Sequence, residues 1–320
     1  MSIVERALQK AQLQAKSGQP QAPAEPSEPS PVLSQEPIPP RASPPPRPRP
    51  SYEDTSLTSR DLKTIVQLDV ERLREAGRLP PANMAQQTEE EIRRIKWPLL
   101  NAIAGREGAT QARNNVILVT SALPSEGKSF TSLNLALSIV RDREMRVILV
   151  DGDVARPGLT PTLGLDGRPG LNDVLDDVDR EVSSVTYQTD VEGLFFVPAG
   201  KWHDQAPEFF ASSRMPQIID ALSHRVGNGV IVIDSPPLLA TNEAQVVTRY
   251  VGQVLLVVRA DDTEQRAVLD AIALVDKATP ISAVLNRVKP SALSRYYGQY
   301  YYGGYGYGYG RSGRTRTGNE

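Results

Sequence analysis

The sequence predicts an α/β domain built on a mostly parallel sheet with helices on both faces. Three observations carry this. Short, near-continuous apolar runs recur at 116–120, 147–151, 194–197, 230–234, 254–258 and 281–285. Segments of helical period separate most of them, at 129–141, 207–226, 242–250 and 263–278. Strands buried on both faces read as unbroken apolar runs, and intervening helices are the crossovers that parallel pairing requires. The third observation is the junction of the first strand and helix, where a turn-rich loop ends in Gly127-Lys128-Ser129.

That junction defines the fold more narrowly. The run Ala122-Leu-Pro-Ser-Glu-Gly-Lys-Ser129 follows the pattern Gly, four residues, Gly-Lys-Ser/Thr, with Ala122 at the first glycine position. A strand precedes it and a helix with Leu133, Leu135, Ala136 and Ile139 follows, the context that a phosphate loop needs. Loop amides and the helix N-terminus converge there on anionic oxygens. Pro124, Ser125, Glu126, Gly127, Lys128, Ser129 and Phe130 are therefore expected to cradle a nucleotide. Lys128 is suited to the β- and γ-phosphates and Ser129 to Mg²⁺. The expected fold is that of a P-loop NTPase using ATP and Mg²⁺.

Two acidic stations follow. Asp151 ends the apolar run 147–151, and Asp153 lies two residues on. Two carboxylates at that spacing can serve Mg²⁺ and still leave one facing a nucleophile. The alternative is a solvated loop with a helix-capping Asp153. Asp234 ends the run 230–234 and is followed by Ser235-Pro236-Pro237. An aspartate there fits the Walker B role of holding Mg²⁺ directly or through water. Ligands of parallel sheets sit at the carboxyl ends of the strands, where Asp151 and Asp234 both fall.

Composition narrows the chemistry. The 320 residues carry a net charge of −2, so no nucleic-acid partner is expected. There is no cysteine, which excludes disulfides and thiolate catalysis. Only His203 and His224 are histidines, which argues against a histidine metal site or triad. No apolar run approaches the ~18–20 residues that span a bilayer. The expectation is a cytoplasmic protein, peripheral at the inner membrane through a partner or a surface helix.

Five segments are expected along the chain. Residues 1–16 place Ile3, Val4, Ala7, Leu8 and Ala11 on one side of a short amphipathic helix. Residues 17–58 are a linker holding about half of the 27 prolines, a polyproline spacer by composition. Its run 44–50 also suits an SH3-like groove. Residues 59–83 read as a helical segment with Leu62, Ile65, Val66, Leu68 and Leu73, ended by Pro80-Pro81. The folded domain is placed at 84–290, opening on a helix capped by Thr88 with Glu91 and kinked or restarted at Pro98. Residues 291–320 hold Tyr296, Tyr297, Tyr300, Tyr301, Tyr302, Tyr305, Tyr307 and Tyr309 among glycines, a disordered tail by composition.

The three stations and the tyrosine cluster together resemble the bacterial tyrosine kinase family, P-loop enzymes that control capsule and exopolysaccharide export. The likeness runs over about residues 88–309: Walker A at 122–129, an Asp-x-Asp Walker A′ at 148–153, a Walker B ending Asp-x-Pro-Pro at 231–237, and the C-terminal tyrosines. The start Met1-Ser-Ile-Val-Glu-Arg-Ala-Leu and the long spacer resemble the exosortase-associated autokinase branch.

The resemblance implies roles. Lys128 would bind phosphates, and Ser129, Asp151 and Asp234 would hold Mg²⁺. Asp153 would be the preferred general base, with Asp151 able to exchange roles, and Asn286 would contact adenine. The tail tyrosines would be acceptors; their reach allows a neighbour's site or their own, and transfer between subunits is the expectation. Glu90, Arg93 and Lys96 would occupy the family's Glu-x-x-Arg-x-x-Arg oligomer motif in a ring-like, unphosphorylated homo-oligomer. A membrane-bound polysaccharide chain-length protein would be the activating partner. Two departures stand out. Ala155 precedes a single Arg156 where paired basic residues are usual, and Lys96 replaces a planar guanidinium with a flexible point charge. Two rivals share the motifs: a deviant-Walker positioning ATPase, whose signature lysine position is Leu123 here, and a non-catalytic nucleotide switch acting on a polysaccharide exporter.

Overall fold

The structure, a computed structural model, describes residues 65–105, 113–142, 145–202 and 206–289. Its centre is an eight-stranded sheet: β1 (Ile65–Val66), β2 (Val116–Ser121), β3 (Val147–Asp151), β4 (Tyr187–Thr189), β5 (Leu194–Val197), β6 (Val230–Asp234), β7 (Gln253–Arg259) and β8 (Ile281–Asn286). The strand order is β1-β4-β5-β3-β6-β2-β7-β8. Every neighbouring pair is parallel except β4–β5. The strands β2, β3, β5 and β6 are buried along their whole length. That is why their sequences are continuous rather than alternating.

Each face of the sheet carries its own apolar layer. Val116, Leu118, Ile148 and Val150 point to one side, where α4 (Leu171–Asp176), α6 (Arg214–Val226), α7 (Asn242–Val247) and α8 (Gln265–Leu274) pack. Ile117, Val119, Val147 and Leu149 point to the other. There α1 (Val70–Glu75), α2 (Ala85–Ala104) and α3 (Lys128–Val140) cover them with Leu73, Leu99, Leu133, Leu135 and Ile139. The period-2 alternation of side chains thus splits each strand between two cores. The helical region expected at 207–226 is divided, with α5 (Ala206–Ala211) preceding α6.

Three expectations are corrected. Of the helical segment expected at 59–83, the described residues 65–83 are α-helical over α1 and enter a 3₁₀ turn at Ala82, and Ile65–Val66 instead forms a strand parallel to β4. Leu73 is 1% exposed, so the packed domain begins before residue 84. Asp69 caps α1 by accepting from Glu71 N and Arg72 N. Thr88 caps nothing: α2 starts at Ala85, fed by a 3₁₀ turn at Ala82–Met84, and Thr88 is buried inside the helix. Gln87 takes up Glu91 instead, at 2.8 Å. Finally, α2 runs through Pro98 without restarting. The helix expected at 1–16, the linker at 17–58 and the tyrosines 296–309 lie outside the described residues, as do the N-terminal features that suggested the autokinase branch.

Candidate active site

The phosphate loop sits between β2 and α3, at the carboxyl edge of the sheet. Ala122 is fully buried in the apolar layer, so its methyl fills a core position where a glycine would leave a gap. Two residues turn through the left-handed region, Ser125 at φ 64° and Gly127 at φ 103°. At Gly127 a side chain is excluded twice, since a Cβ would also lie 1.9 Å from Asn286 Nδ2. Glu126 is buried and ties the loop together. Its carboxylate accepts from Leu123 N at 2.6 Å and Arg259 N at 3.3 Å, and from the Thr263 hydroxyl. Asn286 donates to the Glu126 carbonyl at 2.8 Å, and its Oδ1 accepts from Arg287 N at 2.9 Å. Glu126 and Asn286 thus hold the loop's shape, and Asn286 also lines the adjoining cavity.

The acidic stations meet beneath the loop. Parallel register places Asp151 of β3 directly beside Asp234 of β6, and both are fully buried. The Ser132 hydroxyl lies between the Lys128 carbonyl, at 2.9 Å, and Asp234 Oδ1, at 3.1 Å. Asp151 Oδ2 accepts from Leu159 N, Thr160 N and Thr160 Oγ1, at 3.1, 2.7 and 2.8 Å. Among the described residues, Asp151 Oδ1 and Asp234 Oδ2 have no hydrogen-bond partner. Burial pushes Asp151 up to about 6, against the pull of its bonds to Thr160 and Leu159. Burial pushes Asp234 up to about 7, with the charge of Asp151 adding to it. Two buried oxygens without partners, on carboxylates that resist ionising, call for a cation.

The residues fit Mg²⁺ in particular. Among the described residues no group of three or more His, Cys, Asp or Glu side chains forms a metal cage. Mg²⁺ asks only for one or two carboxylates, with substrate phosphates and water completing its shell. Ser129, Asp234 and Asp151 are the oxygen donors at hand.

Above this pair opens a cavity of about 820 Å³, within the range of small-molecule sites. Lys128, Ser129, Phe130, Pro124, Pro236 and Pro237 line it. Among its lining residues Asp153 is the one carboxylate. Burial raises its pKa, while the nearby Lys128 charge works against the rise. Of the two candidate bases, Asp153 faces the cavity and Asp151 lies below it. The sequence reading missed Arg78, Gly158 and Arg287, which also line the cavity. Arg78 sits in Gly77-Arg-Leu-Pro-Pro81, a stretch that reads only as a helix stop.

The expected oligomer motif is taken apart. Lys96 is turned inward, and its ammonium contacts the Ser138 carbonyl at 3.0 Å and the Asp142 carboxylate at 3.0 and 3.1 Å. With its side chain 7% exposed, it serves α3 of its own chain and is withdrawn as an oligomer contact. Arg93 stays on the exposed face and pairs with Glu89 at 3.4 Å, and Glu90 is exposed beside it.

Comparisons with known proteins give the same direction. No family model matches. The tyrosine-protein kinase ptk of Acinetobacter johnsonii is 31% identical over 157 residues, 49% of this chain and 21% of ptk. The putative tyrosine-protein kinase CapB of Staphylococcus aureus is 31% identical over 198 residues, which cover 61% of this chain and 84% of CapB. The chain belongs to the bacterial tyrosine kinase family. The solved BceF tyrosine kinase domain superposes on this family member with a TM-score of 0.54 at 28% identity, over 69% of this chain and 92% of that domain. The chain spans 20–25% of the length of six of the curated relatives it matches.

Proposed function

We propose that this chain is an ATP-dependent protein-tyrosine kinase that phosphorylates its own C-terminal tyrosines, Tyr296 to Tyr309. The observation that carries the reading is Asp153: it is the one carboxylate lining a cavity that also presents Lys128, and both lie close enough to the buried Asp234 for their charges to act on it. A phenol with an ordinary pKa of ~10 is a poor nucleophile at neutral pH, so a carboxylate raised by burial has a proton to accept. Asp153 takes the tyrosine proton as the phenolic oxygen bonds to the γ-phosphorus. The bond to the β-phosphate oxygen breaks, and ADP departs with that electron pair. Lys128 and the loop amides hold the phosphates in line. Mg²⁺, held by Ser129 with Asp234 and Asp151, would neutralise phosphate charge.

The tail supplies its acceptors by tethering. A glycine-rich tether of about fifteen residues has a reach of ~20–25 Å. Millimolar-scale effective concentration then substitutes for recognition of each tyrosine. We take transfer to run between subunits of a homo-oligomer that is assembled when unphosphorylated. Each phosphate adds ~1.5–2 negative charges, so modified tails repel one another. Larger assemblies on size exclusion after phosphorylation would contradict this. By family resemblance the kinase regulates exopolysaccharide synthesis and export, and a membrane-bound chain-length protein activates it. Among the described residues no helix is long and apolar enough to cross a membrane.

The positioning-ATPase alternative loses its signature residue, since Leu123 is an exposed apolar side chain where that class uses lysine. Transfer from γ-labelled ATP tests the proposal. Wild type should acquire phosphotyrosine, and Asp153→Asn should retain nucleotide binding but lose transfer by about 10²–10⁴-fold. ATP hydrolysis without phosphotyrosine would reject it.

A further inference from the structure

Arg78 is a cavity residue that the proposed mechanism leaves without a role. It lies on the segment that leads from α1 to the 3₁₀ turn at 82–84, and that segment is clamped to the site. Asn134 of α3 donates to the Arg78 carbonyl at 2.8 Å, and Arg78 Nε donates to the Gly158 carbonyl at 3.2 Å. Upstream, Arg72 Nη2 donates to the Pro161 carbonyl at 2.6 Å. The loop so gripped is the one whose Leu159 and Thr160 amides bond Asp151.

The placement of the guanidinium is specific. A Cβ built on Gly158 would lie 3.1 Å from Arg78 Nη2 and 2.7 Å from Ser129 Oγ. The arginine terminus and the hydroxyl that follows Lys128 therefore flank one small space, kept open by a residue without a side chain. Arg78 is half-buried and makes no ion pair with a carboxylate among the described residues. Its Nε is engaged by the Gly158 carbonyl, Nη2 lies beside Gly158, and both residues line the cavity. The other arginines on the wall, Arg156 and Arg287, are exposed.

We propose that Arg78 is a catalytic arginine, delivered by the N-terminal segment of the same chain, which binds the oxygens of the phosphoryl group in flight. The inference rests on the nucleotide reading of the cavity. A planar guanidinium with a fixed fork matches phosphate oxygens, and a cation already in place stabilises charge that spreads over them during transfer. Supplied in cis, it makes the segment around residues 65–79 part of the active site.

The test compares binding of Mg-ADP with binding of Mg-ADP plus aluminium fluoride, a mimic of the transferring phosphoryl, to the full chain. Wild type should prefer the fluoride complex. Arg78→Gln keeps a donor for the Gly158 carbonyl but no charge. It should weaken the fluoride complex by about ten- to a hundred-fold, as expected for lost charge-assisted hydrogen bonds, and leave Mg-ADP within about two-fold. Arg78→Lys should fall between. Transfer should lose kcat rather than gain KM for ATP. Equal losses for both complexes, no loss for either, or a wild type without preference would each overturn the proposal. A blank tyrosine assay with the Arg78 pattern intact would instead remove the acceptor assignment and leave Arg78 in place.

Discussion

Asp151 and Asp234 stand side by side at the carboxyl ends of β3 and β6, and each keeps one buried carboxylate oxygen without a partner among the described residues. Like charges this close, out of water, favour retention of a proton. The folded chain therefore binds protons that the unfolded chain, with ordinary carboxylates, has released. The pair's contribution to metal-free stability is fully present below the ordinary carboxylate range, and is lost as pH rises through the folded values of about 6 and about 7. A cation needs the deprotonated pair, so magnesium nucleotide should stabilise more as pH rises. Melts with and without Mg-ADP, from about pH 5 to 8, should show the gap widening. A gap independent of pH would detach the pair from the cation.

Gly127→Ala should abolish nucleotide binding. Its φ of 103° disfavours a side chain, and the added carbon would meet Asn286 at 1.9 Å. A loss of about 1–3 kcal/mol in loop stability is expected, with the sheet intact by circular dichroism. The double variant with Asn286→Ala relieves the collision but not the backbone conformation, so calorimetry should show partial recovery at most.

Leu73→Ala tests where the folded unit begins. Leu73 is buried at 1% exposure and packs with the layer that includes Leu133 and Leu149. Denaturant titration should show destabilisation by about 2–5 kcal/mol. No change would restore the boundary at residue 84.

Lys96→Ala should destabilise the monomer, not the assembly. Its ammonium is held by the Ser138 carbonyl and by Asp142, which is half exposed and so screened on one side. A cost of about 1–3 kcal/mol is expected, with sedimentation at fixed concentration unchanged. Dissociation without loss of thermal stability would return Lys96 to the oligomer interface.

The sequence made the centre of this molecule legible and left its margin obscure. The runs 147–151 and 230–234 are strands end to end because both faces of the sheet are covered, so each residue had to be apolar until the aspartate. The strand, Gly-Lys-Ser loop and helix are local in sequence, and their pattern alone placed Lys128 and Ser129. Partners fixed by tertiary contact were not visible in the same way. Strand β1 has two residues among those described, too few for a period, and pairs with the edge that β4 offers. Thr88 and Glu91 have the spacing of a cap, but the turn at Ala82–Met84 moved the helix start upstream of them. Arg78 carries no motif at all, since its place in the cavity depends on Gly158, 80 residues away.

The most direct test of the central claim is peptide mapping by mass spectrometry after incubation with Mg-ATP, wild type beside Lys128→Ala, each with the proposed chain-length activator supplied. The account predicts phosphate on tyrosines between Tyr296 and Tyr309 in wild type and none in Lys128→Ala. A wild type that consumes ATP while all of those tyrosines stay unmodified, or equal modification of both chains, would contradict it.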